Sequence, residues 1–220
     1  MFECQEFEDA CKELDNPVID EYEFFVEAMN VKIYRKYKES SGLYEYKTFG
    51  VLEGISPDIC AKVYTDLEYR KEWDKYAKEL YEFKEGEVTG IYWNVNFPFP
   101  MYNRDYVFVR ETKEFDLDGR HIWVVLGKSA PFESVRERSR TIRVDDFQQS
   151  MCMTSDGGSG TKALMHYYDN PKGMLPTWLI NWAAKTGVPN FISDMKKHCE
   201  KYPEYLEKKS KKEKKSTGTA

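Results

Sequence analysis

No stretch of this sequence is long and apolar enough to span a bilayer as a helix. The longest uncharged run, Val88 to Asn103, has 16 residues and contains Pro98, Pro100 and three Asn, whereas a spanning helix needs about 20 mostly apolar residues. The N-terminus, M-F-E-C-Q-E-F-E-D, lacks the basic and apolar regions of a secretory signal. Histidines number only 3, at positions 121, 166 and 198, so spacing offers no metal cluster. The 5 cysteines (Cys4, Cys11, Cys60, Cys152, Cys199) are odd in number and lack CxxC spacing. That pattern fits reduced thiols in the cytoplasm better than a disulfide framework. GxSxG, HExxH, Walker A and GxGxxG are all missing. These gaps point away from an enzyme, and no cofactor or metal is expected.

Charge of one sign is concentrated in one place. The net charge is −5, but residues 207–220 hold six Lys and two Glu, leaving −9 on the rest. An acidic body excludes nucleic acid as the main partner. The tail, E-K-K-S-K-K-E-K-K-S-T-G-T-A, has no apolar periodicity and is expected to be disordered. Lysines in such a tail favour transient contact with an anionic membrane surface. Residues 1–206 then form one domain, with no internal repeat and no second-domain linker.

Aromatic residues are plentiful, at 15%. They are prominent in P-T-W-L-I-N-W-A-A-K-T-G-V-P-N-F-I-S-D-M-K-K, Pro176 to Lys197. Leu179, Trp182, Val188, Phe191, Ile192 and Met195 recur at helical spacing, with Trp178 and Ile180 added to the apolar stripe. Pro189 lacks an N–H and should kink this helix against the carbonyl of Lys185, with Gly187 adding slack. A hinged lid over a cavity is the functional reading of that pattern.

Upstream, Phe7, Cys11 and Leu14 predict a short helix over residues 3–14. Strands are predicted at Phe24 to Met29, Val31 to Tyr37 and Leu43 to Leu52. Ser56-Pro57-Asp58 starts a helix, and Leu67 to Tyr76 extends or resumes it. From Leu80 the period becomes two, and Trp93 falls on the apolar face of a half-buried strand. Further strands follow at Asp105 to Glu114, His121 to Lys128, Arg140 to Thr154 and Lys162 to Tyr168. Strands in runs of hairpins imply a mostly antiparallel sheet. His166 on its strand reads as structural.

Arg70 and Asp74 share a helix face at a spacing of four. Such pairs are ordinarily superficial, but Tyr64, Tyr69 and Trp73 surround this one. A guanidinium beside aromatics can hold a phosphate through a charge-assisted fork. Tyr64 and Arg70, six apart, converge only if the helix breaks near Leu67.

Three segments carry a family likeness: Y-R-K-E-W-D (69–74), Y-W-N-V-N-F-P-F-P-M-Y-N-R-D-Y-V (92–107) and P-T-W-L-I-N-W-A-A-K-T-G-V-P-N-F (176–191). In order and spacing they resemble the START lipid-transfer domain, from about Phe7 to Tyr202. The resemblance implies an α+β helix-grip fold, a curved antiparallel sheet around a long C-terminal helix with an internal lipid tunnel. It implies a monomeric, non-enzymatic carrier of one phosphatidylcholine between membranes. A lipid-sensing module acting on a protein partner is the alternative. On that resemblance, Arg70 binds phosphate with help from Tyr64, and Asp74 pairs Arg70. Gln149 bonds a polar group of the lipid, and Trp93, Tyr106 and Phe147 cage the choline. A similar family member has Tyr at the position of Phe147, so the ring face is kept and a hydroxyl is lost. Aromatic faces are the fitting partner for a quaternary ammonium, which cannot donate a conventional hydrogen bond.

Overall fold

The computed structural model describes residues 2–217. It begins with a short helix α1 (Cys4–Cys11) and three antiparallel strands, β1 (Glu23–Ala28), β2 (Val31–Lys38) and β3 (Leu43–Leu52). Two helices follow, α2 (Pro57–Thr65) and α3 (Leu67–Trp73). Seven strands come next: β4 (Ala77–Glu85), β5 (Val88–Val95), β6 (Asn103–Leu117), β7 (Arg120–Ser129), β8 (Thr141–Val144), β9 (Phe147–Ser155) and β10 (Thr161–Asp169). The chain closes with α4 (Thr177–Trp182), a π-helical turn (Ala183–Gly187) and α5 (Val188–Thr217).

All ten strands belong to one curved sheet in the order β1-β2-β3-β10-β9-β7-β6-β5-β4, with β8 parallel beside β6. Alternation along β7 gives the sheet two buried faces. Ile122, Val124 and Leu126 pack under Phe2, Phe7, Cys11 and Leu14 of the N-terminal segment. Val125 faces the other way, into a core with Cys60, Val63, Tyr69, Trp73, Met195 and Cys199. That second face, between the sheet and the C-terminal helices, also contains the cavity. All five cysteines are free, and Cys11 and Cys152 approach to 3.4 Å between sulfurs.

Several boundaries differ from the sequence expectation. Arg140 to Thr154 is two strands, and Asp145 and Asp146 lie in the connection between them. The face of β5 opposite Trp93 is not solvated. Tyr92 and Asn94 are buried there, with the guanidinium of Arg138 4.6 Å from the Tyr92 ring centre. His166 lies on the parity opposite to Met165, Tyr167 and Asp169, which line the cavity. Its environment includes Lys47 and Glu13, and desolvation lowers its pKa.

The lysine-rich segment read as disordered is helical through Thr217, and residues 218–220 lie outside the described residues. The physical reason is that α5 is already nucleated by its packing, and extension of an existing helix costs little. Glu204–Lys208 and Glu207–Lys211, each four apart, support the extension.

Candidate functional site

A cavity of about 440 Å³ lies between the sheet and the wall made by α4, the π turn and the first turn of α5. Strands β1–β6, β9 and β10 supply its floor, and Leu179, Ile180, Trp182, Ala183, Gly187, Val188 and Phe191 its other wall. Its lining is mainly apolar, with polar groups at a few defined positions, as in small-molecule sites generally.

The cationic end is created by a helix break. Asp66 terminates α2 with an extended ψ of 98° and at once caps α3, accepting the N–H of Tyr69 at 3.0 Å. The break turns α3 so that Arg70 faces the same space as Tyr64, its guanidinium carbon 5.9 Å from the Tyr64 ring centre. The same carbon lies 4.9 Å from Trp93 and 5.4 Å from Phe191. Arg70 donates from Nε to Asp74 Oδ2 at 2.9 Å, and the second Asp74 oxygen accepts the N–H of Tyr76 at 3.0 Å. The side chains of Arg70 and Asp74 are 12% and 1% exposed. A second cation, Arg110, lines the cavity and donates to the carbonyl of Thr65 at 2.9 Å. Burial lowers the Arg110 pKa, and Arg70 lowers it further. Each of these two like charges has a carboxylate neighbour, Asp74 at 2.9 Å from Arg70 and Glu82 at 3.8 Å from Arg110. Burial also raises the pKa of Tyr64, which keeps its hydroxyl protonated as a donor.

The aromatic end adjoins it. Trp93 on β5 is registered opposite Tyr106 on β6, and their rings lie 5.3 Å apart at 33°. Tyr106 meets Phe147 edge-on at 5.5 Å, and Phe147 meets Tyr167 at 5.8 Å. Asp169, paired in register with Phe147, closes the group and accepts the Tyr106 hydroxyl at 2.6 Å. Gln149 lines the cavity beside Tyr64. Among the described residues, the indole N–H groups of Trp73 and Trp93 are the buried side-chain donors without a partner.

Sequence reasoning named Tyr64, Arg70, Asp74, Trp93, Tyr106, Phe147 and Gln149, and the structure brings all seven to this one cavity. The lid residues divide. Trp182 and Gly187 line it, and Trp182 packs so closely that a β-carbon on Gly187 would stand 3.1 Å from its ring. Trp178, expected on the apolar stripe, is 43% exposed. It sits in the first turn of α4 and does not line the cavity, whereas Leu179, Ile180 and Trp182 of the same helix do. The irregularity expected at Pro189 precedes it. The N–H of Val188 bonds to the carbonyl of Ala183, five residues back. This widened turn takes the carbonyls out of α-helical register just before the proline ring that would crowd them.

Sequence reasoning missed Arg110, Tyr167 and Asp169. It also missed Arg104, which is buried and donates to three carbonyls: Tyr102 in the β5–β6 loop, and Pro171 and Lys172 in the β10–α4 loop. Both loops contribute cavity residues, and Arg104 ties them together at the mouth.

A family model described as START domain matches residues 5–205. A phosphatidylcholine transfer protein from Mus musculus is 49% identical over 203 residues, covering 91% of this chain and 95% of that protein. The phosphatidylcholine transfer protein of Homo sapiens is 48% identical over the same shares. Among solved structures, that of human STARD10 superposes with a TM-score of 0.76 at 22% identity, covering 94% of this chain and 84% of the other.

Proposed function

The chain belongs to the START domain family, and from that premise we propose that it carries one phosphatidylcholine at a time between membranes. It works as a cytoplasmic monomer that leaves its lipid chemically unchanged. The observation that carries this reading is the contact of two unlike recognition surfaces in one apolar cavity. Arg70 stands on the Trp93 ring, and Trp93 opens the run of rings that continues through Tyr106 and Phe147. A phosphocholine headgroup has a matching order, with its phosphate and quaternary ammonium joined by an ethylene bridge. The phosphate falls to Arg70, Arg110 and Tyr64, and the ammonium to the ring faces. Burial of the acyl chains, at about 0.8 kcal/mol per CH₂, supplies most of the affinity. The headgroup site supplies selection.

Protein purified from cells should therefore release one intact phosphatidylcholine in native mass spectrometry. Trp93→Ala or Tyr106→Ala should shift loading from choline toward ethanolamine lipids, since each ring face is worth roughly 0.5–2 kcal/mol to a cation. Phe147→Tyr should preserve the choline preference. An unaltered ratio in both alanine variants would make these rings plain packing, and degraded lipid would point to chemistry in place of carriage.

For membrane contact we assign the mouth loops and the tail. Phe99 is 94%, Met174 93% and Trp178 43% exposed. Lysines 208, 209, 211, 212, 214 and 215 add attraction of about 1 kcal/mol each near an anionic surface, screened by salt. Deleting residues 208–220 should weaken sedimentation with anionic vesicles at low salt and leave headgroup preference intact. Equal sedimentation of both proteins removes the tail from the account.

A further inference from the structure

Three aspartates of this fold lie in enclosed surroundings, and they are treated differently. Asp74 has Arg70, and Asp105 has Arg143 at 2.9 Å. Asp169 lines the cavity and makes no ion pair among the described residues. Its hydrogen-bond partners are tyrosine hydroxyls. Tyr106 donates to it at 2.6 Å, and Tyr167 belongs to the same cluster. The nearest guanidinium, Arg104, spends its donors on three main-chain carbonyls. An unneutralised carboxylate in such a place is costly to keep. It accepts from Tyr106 and is in register with Phe147, two of the three rings assigned to the ammonium.

We propose that Asp169 is the residue that makes this cavity select a cationic headgroup. The inference rests on the carrier reading above and adds to it the counter-charge for the choline. Ring faces attract a quaternary ammonium through their quadrupoles, but their grip falls off quickly and carries no net charge. A carboxylate hydrogen-bonded to one of those rings adds the attraction of a full charge, stronger in an apolar cavity than in water. Tyr106 and Tyr167 hold that carboxylate in place and occupy its acceptors. It therefore acts as a charge and needs no N–H from the ligand, which a trimethylammonium lacks.

The environment agrees with this role. Burial raises the Asp169 pKa, and nearby Asp146 raises it further. The two tyrosine hydroxyls and Arg104 act in the opposite direction. Tyr46 on β3 is also within its field. An arriving cation favours the ionised form and pulls the pKa down. By linkage, affinity for choline lipids is greatest above the pKa of the unliganded site and falls as pH drops through it. The stability sign is the reverse of the usual carboxylate. A raised folded-state pKa means that ionised Asp169 costs folding stability at neutral pH, a cost absent where it is protonated.

The test is Asp169→Asn, which keeps the shape and an acceptor for Tyr106. Wild type and variant are each loaded from vesicles of equal parts phosphatidylcholine, phosphatidylethanolamine and phosphatidylglycerol, and bound lipid is read by native mass spectrometry. The variant should lose at least about tenfold of its choline-over-glycerol preference while its choline-over-ethanolamine ratio holds, because both of those headgroups are cationic. Its melting temperature should stay level or rise. The choline-over-glycerol ratio of wild type should fall on acidification, and that of the variant should be flat. An unchanged choline-over-glycerol ratio overturns the inference, and so does a lower melting temperature with loss of all three lipids. Wild type that takes no phosphatidylcholine would instead sink the carrier reading.

Discussion

Arg70→Ala should abolish phosphatidylcholine loading and lower stability by about 3–5 kcal/mol, the usual result of removing one partner of a buried ion pair. The size follows from what is left behind. Asp74 would keep one bond from the N–H of Tyr76 and lose the guanidinium that neutralises it, in a side chain 1% exposed. The ring faces of Trp93 and Phe191 would lose the plate that lies over them. A surface pair removed in the same way would change stability by about 1 kcal/mol or less. The double variant Arg70→Met with Asp74→Asn separates the two roles. Methionine refills the space over the rings, and asparagine keeps an acceptor for Tyr76 without a charge to neutralise. Stability by urea unfolding should return to within about 1–2 kcal/mol of wild type, while lipid loading stays lost. Arg70→Lys should load poorly, because an ammonium neither stacks on Trp93 nor forks onto a phosphate. Normal loading by the double variant would move the phosphate site elsewhere.

Fixing the π turn to the neighbouring edge strand should slow lipid transfer at least tenfold and leave bound lipid in place. The turn Ala183–Gly187 is the irregular joint of the wall that closes the cavity, and it packs near β1. Its widened hydrogen bonding and the Gly187 contact with the Trp182 ring are local, and α4 is expected to swing there without disturbing the core under α5. A cysteine pair joining β1 to the turn removes that freedom, and a thiol reductant restores it. Transfer between vesicles, followed with a fluorescent phosphatidylcholine under both conditions, measures the effect. Equal rates with the bridge closed and open would place the exit route at another part of the wall.

Much of this site can be read before any coordinates, because it is built from local rules. The Tyr64–Arg70 convergence required a helix break, and Asp66, one residue from the expected place, supplies it. Alternation put Trp93 inward, and the spacing of four put Asp74 on Arg70. What escaped depends on register between distant strands. Asp169 precedes N-P-K-G and reads as a turn residue, and only its pairing opposite Phe147 brings it to the cavity. Arg110 sits in V-R-E-T-K-E, a run that reads as solvated. Arg104 looks like surface until two loops close over it. Trp178 misled because its spacing of four from Trp182 reports a shared helix face and not burial, and Trp178 is 43% exposed.

The ladder between β3 and β10 joins residues more than a hundred positions apart, from Leu52 with Thr161 to Glu45 with Tyr168. Tyr46 and Thr48 on one side of that seam, and Met165 and Tyr167 on the other, are cavity residues. The seam cannot close until β10 has left the ribosome, and closing so long a loop is the slow part of such topologies. In the sheet order, β10 is the strand that joins β1-β2-β3 to β9 and the strands beyond it. The compartment for cargo therefore cannot exist before β10 does. A chain truncated before Thr161 lacks Met165, Tyr167 and Asp169 of its lining, and has no complete place to put a lipid.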